Sequence, residues 1–83
     1  MNTTTIFIER IEKETEKALQ ITLKVQWGSG KWHEKTFWFP KSVATLDGEK
    51  MIDVKTWFVE KMQNENAFNG YRMKFNEPVE FTK

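Results

Sequence analysis

Ten consecutive residues, 18–27 (ALQITLKVQW), alternate without a break. Leu19, Ile21, Leu23, Val25 and Trp27 fall on one side; Ala18, Gln20, Thr22, Lys24 and Gln26 fall on the other. A strand turns successive side chains to opposite faces, whereas a helix groups every third or fourth residue. The segment therefore reads as a long, half-buried strand. It needs partners along its edges and an apolar cover over one face.

The nearest partner follows at once. The tripeptide GSG (28–30) is a flexible loop, and KWHEKTFWFP (31–40) is the returning strand, ended by Pro40, which cannot donate to a ladder. Two registers compete. A two-residue loop over Ser29-Gly30 pairs Trp27 with Trp32, sets Lys24 against Lys35 and turns Glu34 onto the apolar face. A three-residue loop, Gly28 to Gly30, pairs Trp27 with Lys31, Ile21 with Phe37, Leu19 with Phe39 and Lys24 with Glu34. Such loops combine a type I turn with a glycine bulge, for which Gly30 is placed. Apolar and opposite-charge pairs each contribute roughly 0.2–1 kcal/mol, and like charges cost stability. The three-residue loop wins on both faces. It sends Trp27, Phe37 and Phe39 to the core, and Trp32 and Trp38 to the polar face with Lys24.

The remaining segments frame this hairpin. Residues 3–12 (TTTIFIERIE) read as a strand and KETEK (13–17) as a polar turn. In VATLDGEKMI, Asp47-Gly48 suits a two-residue type I′ turn pairing Leu46 with Glu49 and Val43 with Ile52. Asp53 can cap a helix whose Val54, Trp57, Phe58 and Met62 form one apolar stripe, expected to pack on the Leu19–Trp27 face. Asn69-Gly70 stops it, with Gly70 as a left-handed cap. In YRMKFNEPVEF, Tyr71, Met73 and Phe75 alternate until Pro78 bends the strand or marks an edge. The order β-β-β-(β-β)-α-β predicts an α+β fold: a mostly antiparallel curled sheet, or a partly open barrel of SH3-like or OB-like kind, with one helix.

At 83 residues the chain is expected to be one domain, residues 1–83, with a core of marginal size. It has no cysteine, so rings must supply what disulfides or thiolate zinc would; the aromatic share is 14%. Thirteen Lys and Arg face twelve Asp and Glu, a formal net charge of +1, so any basic site is a local patch. No apolar run reaches the roughly 18 residues of a membrane span, and MNTTTIFIER lacks the n- and h-regions of a signal peptide. A cytoplasmic protein without a membrane partner is expected.

Catalytic chemistry has little to work with. His33 is the one histidine and reads as a solvated strand residue; without a second His or a Cys, no transition-metal site is expected. Ser42 has no base at recognisable spacing. GSGK is followed by a strand and lacks the spacing of a phosphate loop. The carboxylates Glu9, Glu12, Glu14 and Glu16 crowd a turn and its approaches, where solvation accounts for them. No enzyme and no cofactor are expected. What survives is rings interleaved with cations: Lys24, Lys31, Trp32, Lys35, Trp38 and Lys41. Sheets that bind single-stranded nucleic acid stack bases on rings and hold phosphates with cations. Exposed tryptophans rimmed by lysine also serve protein partners. Alternatively, the helix or the N-terminal strand covers the tryptophans and leaves no binding face.

Three segments, IEKETEKALQI (11–21), FWFPKS (37–42) and IDVKTWFVEKM (52–62), resemble those of a group of short, mostly uncharacterised proteins from bacterial phages and mobile elements. That group carries an E-T-E-K-A strand opening, a W-x-P-K-S turn and a late helix with a V-x-x-W start. The resemblance implies a small accessory protein in a host cytoplasm and transfers no catalytic residue. Two functions follow from it: handling of single-stranded nucleic acid, or inhibition of a host defence or replication protein by docking on it. The GSG loop and its aromatic load depart from the shorter turn of the group, which places individual specificity there.

Overall fold

The structure, a computed structural model, describes residues 2–77. Seven strands and one helix run in the order β1 (Thr3–Phe7), β2 (Arg10–Glu14), β3 (Ala18–Trp27), β4 (His33–Pro40), β5 (Ala44–Leu46), β6 (Met51–Lys55), α1 (Thr56–Glu65) and β7 (Met73–Phe75). They form two antiparallel sheets. One has the order β1-β6-β5; in the other β3 is flanked by β4 on one edge and by β2 and then β7 on the other. The fold is α+β, and the sheets do not close into a barrel.

The segment read as one strand, 3–12, is two. Ile6 and Ile8 are buried at even positions, while the next apolar residue, Ile11, is odd. One straight strand cannot turn all three to one face; Ile11 lies opposite Ile21 but stays 39% exposed. The chain bends at Ile8 and Glu9 and changes partners: Ile8 N–H donates to Lys50 O, and Glu9 N–H donates to Thr22 O. This bend joins the two sheets. A β-bulge follows, because Ile11 faces Ile21 but Lys13 faces Gln20, which makes Glu12 the extra residue.

The central hairpin takes the register favoured by its side chains. Leu19 faces Phe39, Ile21 faces Phe37 and Lys24 faces Glu34. Leu19, Ile21, Leu23, Val25 and Phe39 are buried, and Trp27 and Phe37 pack against that core. The loop differs in one detail: Gly28, not Gly30, takes positive φ (60°). A Cβ at Gly28 would also stand 3.2 Å from the Tyr71 ring, so conformation and space both favour glycine.

Three further expectations are corrected. Asp47-Gly48 does not form a two-residue turn. Leu46 faces Ile52 and Thr45 faces Asp53, so the loop is longer, closed by Asp47 N–H donating to Met51 O at 2.9 Å. This register puts Ala44 beside Val54 and keeps both in the core. Helix α1 starts at Thr56, not Asp53. Residues 51–55 are needed as the middle strand between β1 and β5, where Asp53 accepts a hydrogen bond from Thr5 Oγ1. The stripe is therefore split: Val54 is buried from a strand, Val59 and Met62 are buried from the helix, Phe58 is half-buried against Phe39, and Trp57 is 54% exposed. Finally, α1 ends at Glu65, and Asn69-Gly70 is a turn of its own.

The two tryptophan and phenylalanine positions separate core from surface. Phe39→Ala should cost about 3–5 kcal/mol, the range for emptying a buried ring. Trp57→Ala should cost under about 1 kcal/mol, as for a surface ring with partial contact. Denaturant unfolding of both variants measures this; equal losses would contradict the packing described.

Candidate functional site

The six residues singled out by composition do not share one surface. Trp38 faces Gln20 across the hairpin, and Lys13 faces Gln20 from β2, so Lys13, Gln20 and Trp38 form a row on the outer side of the sheet. Trp38 is 45% exposed there, and Trp32, just before β4, is 43% exposed. Lys24 lies on the same outer side but opposite Glu34. Lys41 is engaged: its Nζ donates to Glu14 Oε2 at 2.6 Å. Lys35 lies on the other side, opposite Leu23, and its Nζ stands 5.9 Å from the centroid of the Trp27 ring, within cation–π range.

The outer side carries its own counter-charges. Arg10 Nε meets Glu12 Oε2 at 2.6 Å and Arg10 Nη2 lies 3.6 Å from Glu34 Oε1. Thr22, buried between β2 and β4, donates its hydroxyl to Glu12 Oε2 at 2.6 Å. Its single proton is then committed, so in the 2.7 Å contact between Thr22 and Thr36 the Thr36 hydroxyl donates. The hydrogen bond from Thr22 holds the Glu12 carboxyl below the ordinary glutamate range. Some loss of hydration works against this, and Arg10 adds its hydrogen bond and charge to it.

The larger aromatic cluster lies at the hairpin tip. Trp27 ends β3, and its Nε1 donates to Asn66 O at 2.8 Å, which fixes the indole against the end of α1. Phe68 stands edge-on to Trp27 at 6.2 Å and His33 is tilted at 6.0 Å. Phe68 and Tyr71 flank a two-residue turn. Each donates its N–H to the other's carbonyl, at 2.8 and 2.9 Å, and Asn69 and Gly70 both take positive φ (56° and 82°). That is the type I′ hairpin preferred by Asn-Gly. It leaves Phe68 65% and Tyr71 56% exposed. An open groove of about 710 Å³ runs between Trp27, His33, Lys35 and Phe68. A smaller one of about 250 Å³ shares Trp27, His33 and Phe68 and reaches Lys31 and Tyr71. Neither Lys31 nor Lys35 meets a carboxylate within ion-pair distance among the described residues.

Phe68 and Tyr71 were not among the expected site residues. The signal was present: Asn-Gly between two aromatic residues is a hairpin signature. His33, read as a solvated strand residue, is exposed but stands against Trp27. Among the described residues, no three His, Cys, Asp or Glu side chains gather as a metal site, and no helix is long and apolar enough to cross a membrane. No family model, curated protein or solved structure matches the chain.

The Glu12 cluster predicts a pH dependence. A carboxyl held below its unfolded pKa contributes stability in full above the unfolded value and loses it as pH falls through the folded one. Glu12→Gln should therefore melt below the parent at neutral pH and converge with it in acid. A gap of constant size across that range would show that the Glu12 charge does not stabilise the sheet.

Proposed function

We propose that the protein is a non-catalytic binding module that takes single-stranded nucleic acid at its hairpin tip. The observation that supports this is the juxtaposition of the exposed rings His33, Phe68 and Tyr71 and the half-buried Trp27 with Lys31 and Lys35, which have no carboxylate partner among the described residues. Unstacked bases gain roughly 1–3 kcal/mol each on such rings, and nearby ammonium groups meet the phosphates. The groove beside Trp27 and Phe68 is open enough to admit a base from its side. In this reading the working surface moves from Trp32, Trp38, Lys24 and Lys41 to the other side of the hairpin, retaining only Lys31 and Lys35 of the expected cations. A small accessory protein of phage or mobile-element type, acting in a host cytoplasm, is the setting proposed for it.

A second reading has a separate observation in its favour. The outer side, with Trp38 and Trp32 exposed, has Arg10 paired with Glu12 and Glu34, and Lys41 paired with Glu14. A surface neutralised in this way suits a host protein better than a polyanion.

Titration of a labelled single-stranded oligonucleotide, followed by anisotropy over a range of salt, tests the first reading. Log affinity should fall with log salt by about 0.7 per phosphate contact for a single strand. Lys35→Ala should reduce that slope by about one contact. Phe68→Ala should weaken binding by about 1–3 kcal/mol and leave the slope unchanged. Absence of binding at low salt, or affinity untouched by Phe68→Ala, would overturn the assignment.

A further inference from the structure

The outer edge of β4 has no strand beside it, because β4 pairs with β3 alone among the described strands. Which of its backbone groups are free follows from the ladder. Lys41 N–H donates to Lys17 O, at the same register as the β3–β4 pairs. Hydrogen-bonded pairs alternate along an antiparallel ladder, so Phe39, Phe37, Lys35 and His33 turn their N–H and C=O toward β3. Glu34, Thr36, Trp38 and Pro40 turn theirs outward. Pro40 has no N–H to offer, and its carbonyl is taken by Val43 N–H at 3.0 Å. Among the described residues, the groups left without a backbone partner are the N–H and C=O of Glu34, Thr36 and Trp38, a short and well-defined row.

We infer that this edge pairs with the same edge of a second copy, antiparallel about a two-fold axis at Thr36. The register is selected by elimination. Free groups sit at even positions, so only even-to-even pairings let them bond. Centring on Thr36 sets Thr36 against its own copy, and Glu34 against Trp38 of the partner subunit. Every free amide and carbonyl of the row then has a partner. A shift that pairs Glu34 with Thr36 sets Lys35 against its own copy, with like charges directly opposed, which costs stability. The opposite shift pairs Glu34 with Pro40, which lacks the donor. In the Thr36-centred register Lys35 instead faces Phe37, and the exposed Trp38 ring gains Glu34 with Lys24 behind it as a polar cover. The two sheets join into one continuous sheet. Isologous pairing of this kind closes on itself and leaves the β4 edge of neither copy open to further chains.

The partner is a second copy and not an arbitrary extended peptide, because at one register only does the edge satisfy its own hydrogen-bonding groups without opposing like charges. Its distance from the proposed nucleic-acid groove is short, but it rests on backbone pairing and stands or falls separately from that reading.

Sedimentation of the unaltered protein over a wide concentration range should show a dimer dissociating to a monomer on dilution. A single monomeric species throughout would overturn the inference. Thr36→Pro removes an outward-facing N–H and the hydroxyl that donates to Thr22, but the backbone ladder to β3 keeps its bonds; it should be monomeric. If it remained dimeric with unchanged affinity, the interface would lie elsewhere. Its circular dichroism should match the parent; should it unfold instead, the cysteine variants decide. The chain has no cysteine, so Thr36→Cys or Glu34→Cys introduces a lone thiol. A short bismaleimide should join two copies through position 36 and fail through position 34. The reverse pattern would refute the register.

Discussion

Strand β3 has both of its edges occupied while one of its faces closes the core. Leu19, Ile21, Leu23 and Val25 are all buried on one side, β4 runs along residues 18–25, and β2 and β7 share the other edge. A slip of one residue would reverse every side chain in this arrangement at once. It would expel the apolar row, move Thr22 away from the Glu12 carboxylate, and turn Trp27 from the end of α1 to the opposite side. The register of one hairpin thus sets the core, the polar network and the location of the aromatic tip together. The bulge at Glu12 belongs to the same constraint. An extra residue in β2 turns a carboxylate toward Thr22, and with Thr36 beyond it a polar group can be buried on the outer side of the sheet with its hydrogen bonds made.

The parts of the fold that sequence alone reveals are those decided by several pairs voting together. The three-residue loop was readable because the alternative failed on both faces, with Lys24 against Lys35 and Glu34 turned inward. The start of the helix was not. Residues 52–62 fit two periods over a short window: Ile52 and Val54 alternate, while Val54, Phe58 and Met62 recur at helical spacing. What decides between them is the company β6 keeps, since Val54 faces Thr4 on one side and Ala44 on the other. The first of these partners lies far away along the chain and leaves no local trace. Asn69-Gly70 was ambiguous for a related reason. A helix cap and a type I′ turn both require a left-handed backbone, and only the reciprocal bonds between Phe68 and Tyr71 separate them. The Asp47-Gly48 loop was misread by length, because burying Ala44 beside Val54 outweighs the preference of the dipeptide for a tight turn.

The candidate site shows how far composition carries and where geometry takes over. Lys35 and Trp38 are close in sequence and share a composition-defined cluster. They differ in parity, however, so one strand cannot present them together. The same register that sent Phe37 and Phe39 inward already assigned Lys35 to their side. The true neighbours of Lys35 are Trp27 from the end of β3 and, across the groove, Phe68 from the turn after α1. Phe68 enters the cluster because Asn66 caps the helix end and accepts the Trp27 indole N–H, which brings the 66–71 segment against the hairpin tip.

Charge is segregated in a chain that is nearly neutral overall. On the outer side of the sheet Arg10 pairs with Glu12 and Glu34, and Lys41 with Glu14; at the tip, Lys31 and Lys35 have no paired carboxylate among the described residues. With a net charge of +1, the protein exerts little attraction on a polyanion at long range. At physiological salt, fields between exposed charges are screened over about 8 Å. Attraction at the tip would therefore act only once a ligand is already close, and most of the affinity would have to come from contact with the rings. The exposure of Phe68 and Tyr71 then has a physical basis in the proposed function. A basic protein can hold a nucleic acid loosely by charge alone, but a neutral one must offer surfaces on which bases stack. The short Asn69-Gly70 turn suits that requirement, because its two cross-strand hydrogen bonds fix the backbone that carries both rings, with few residues to order on binding.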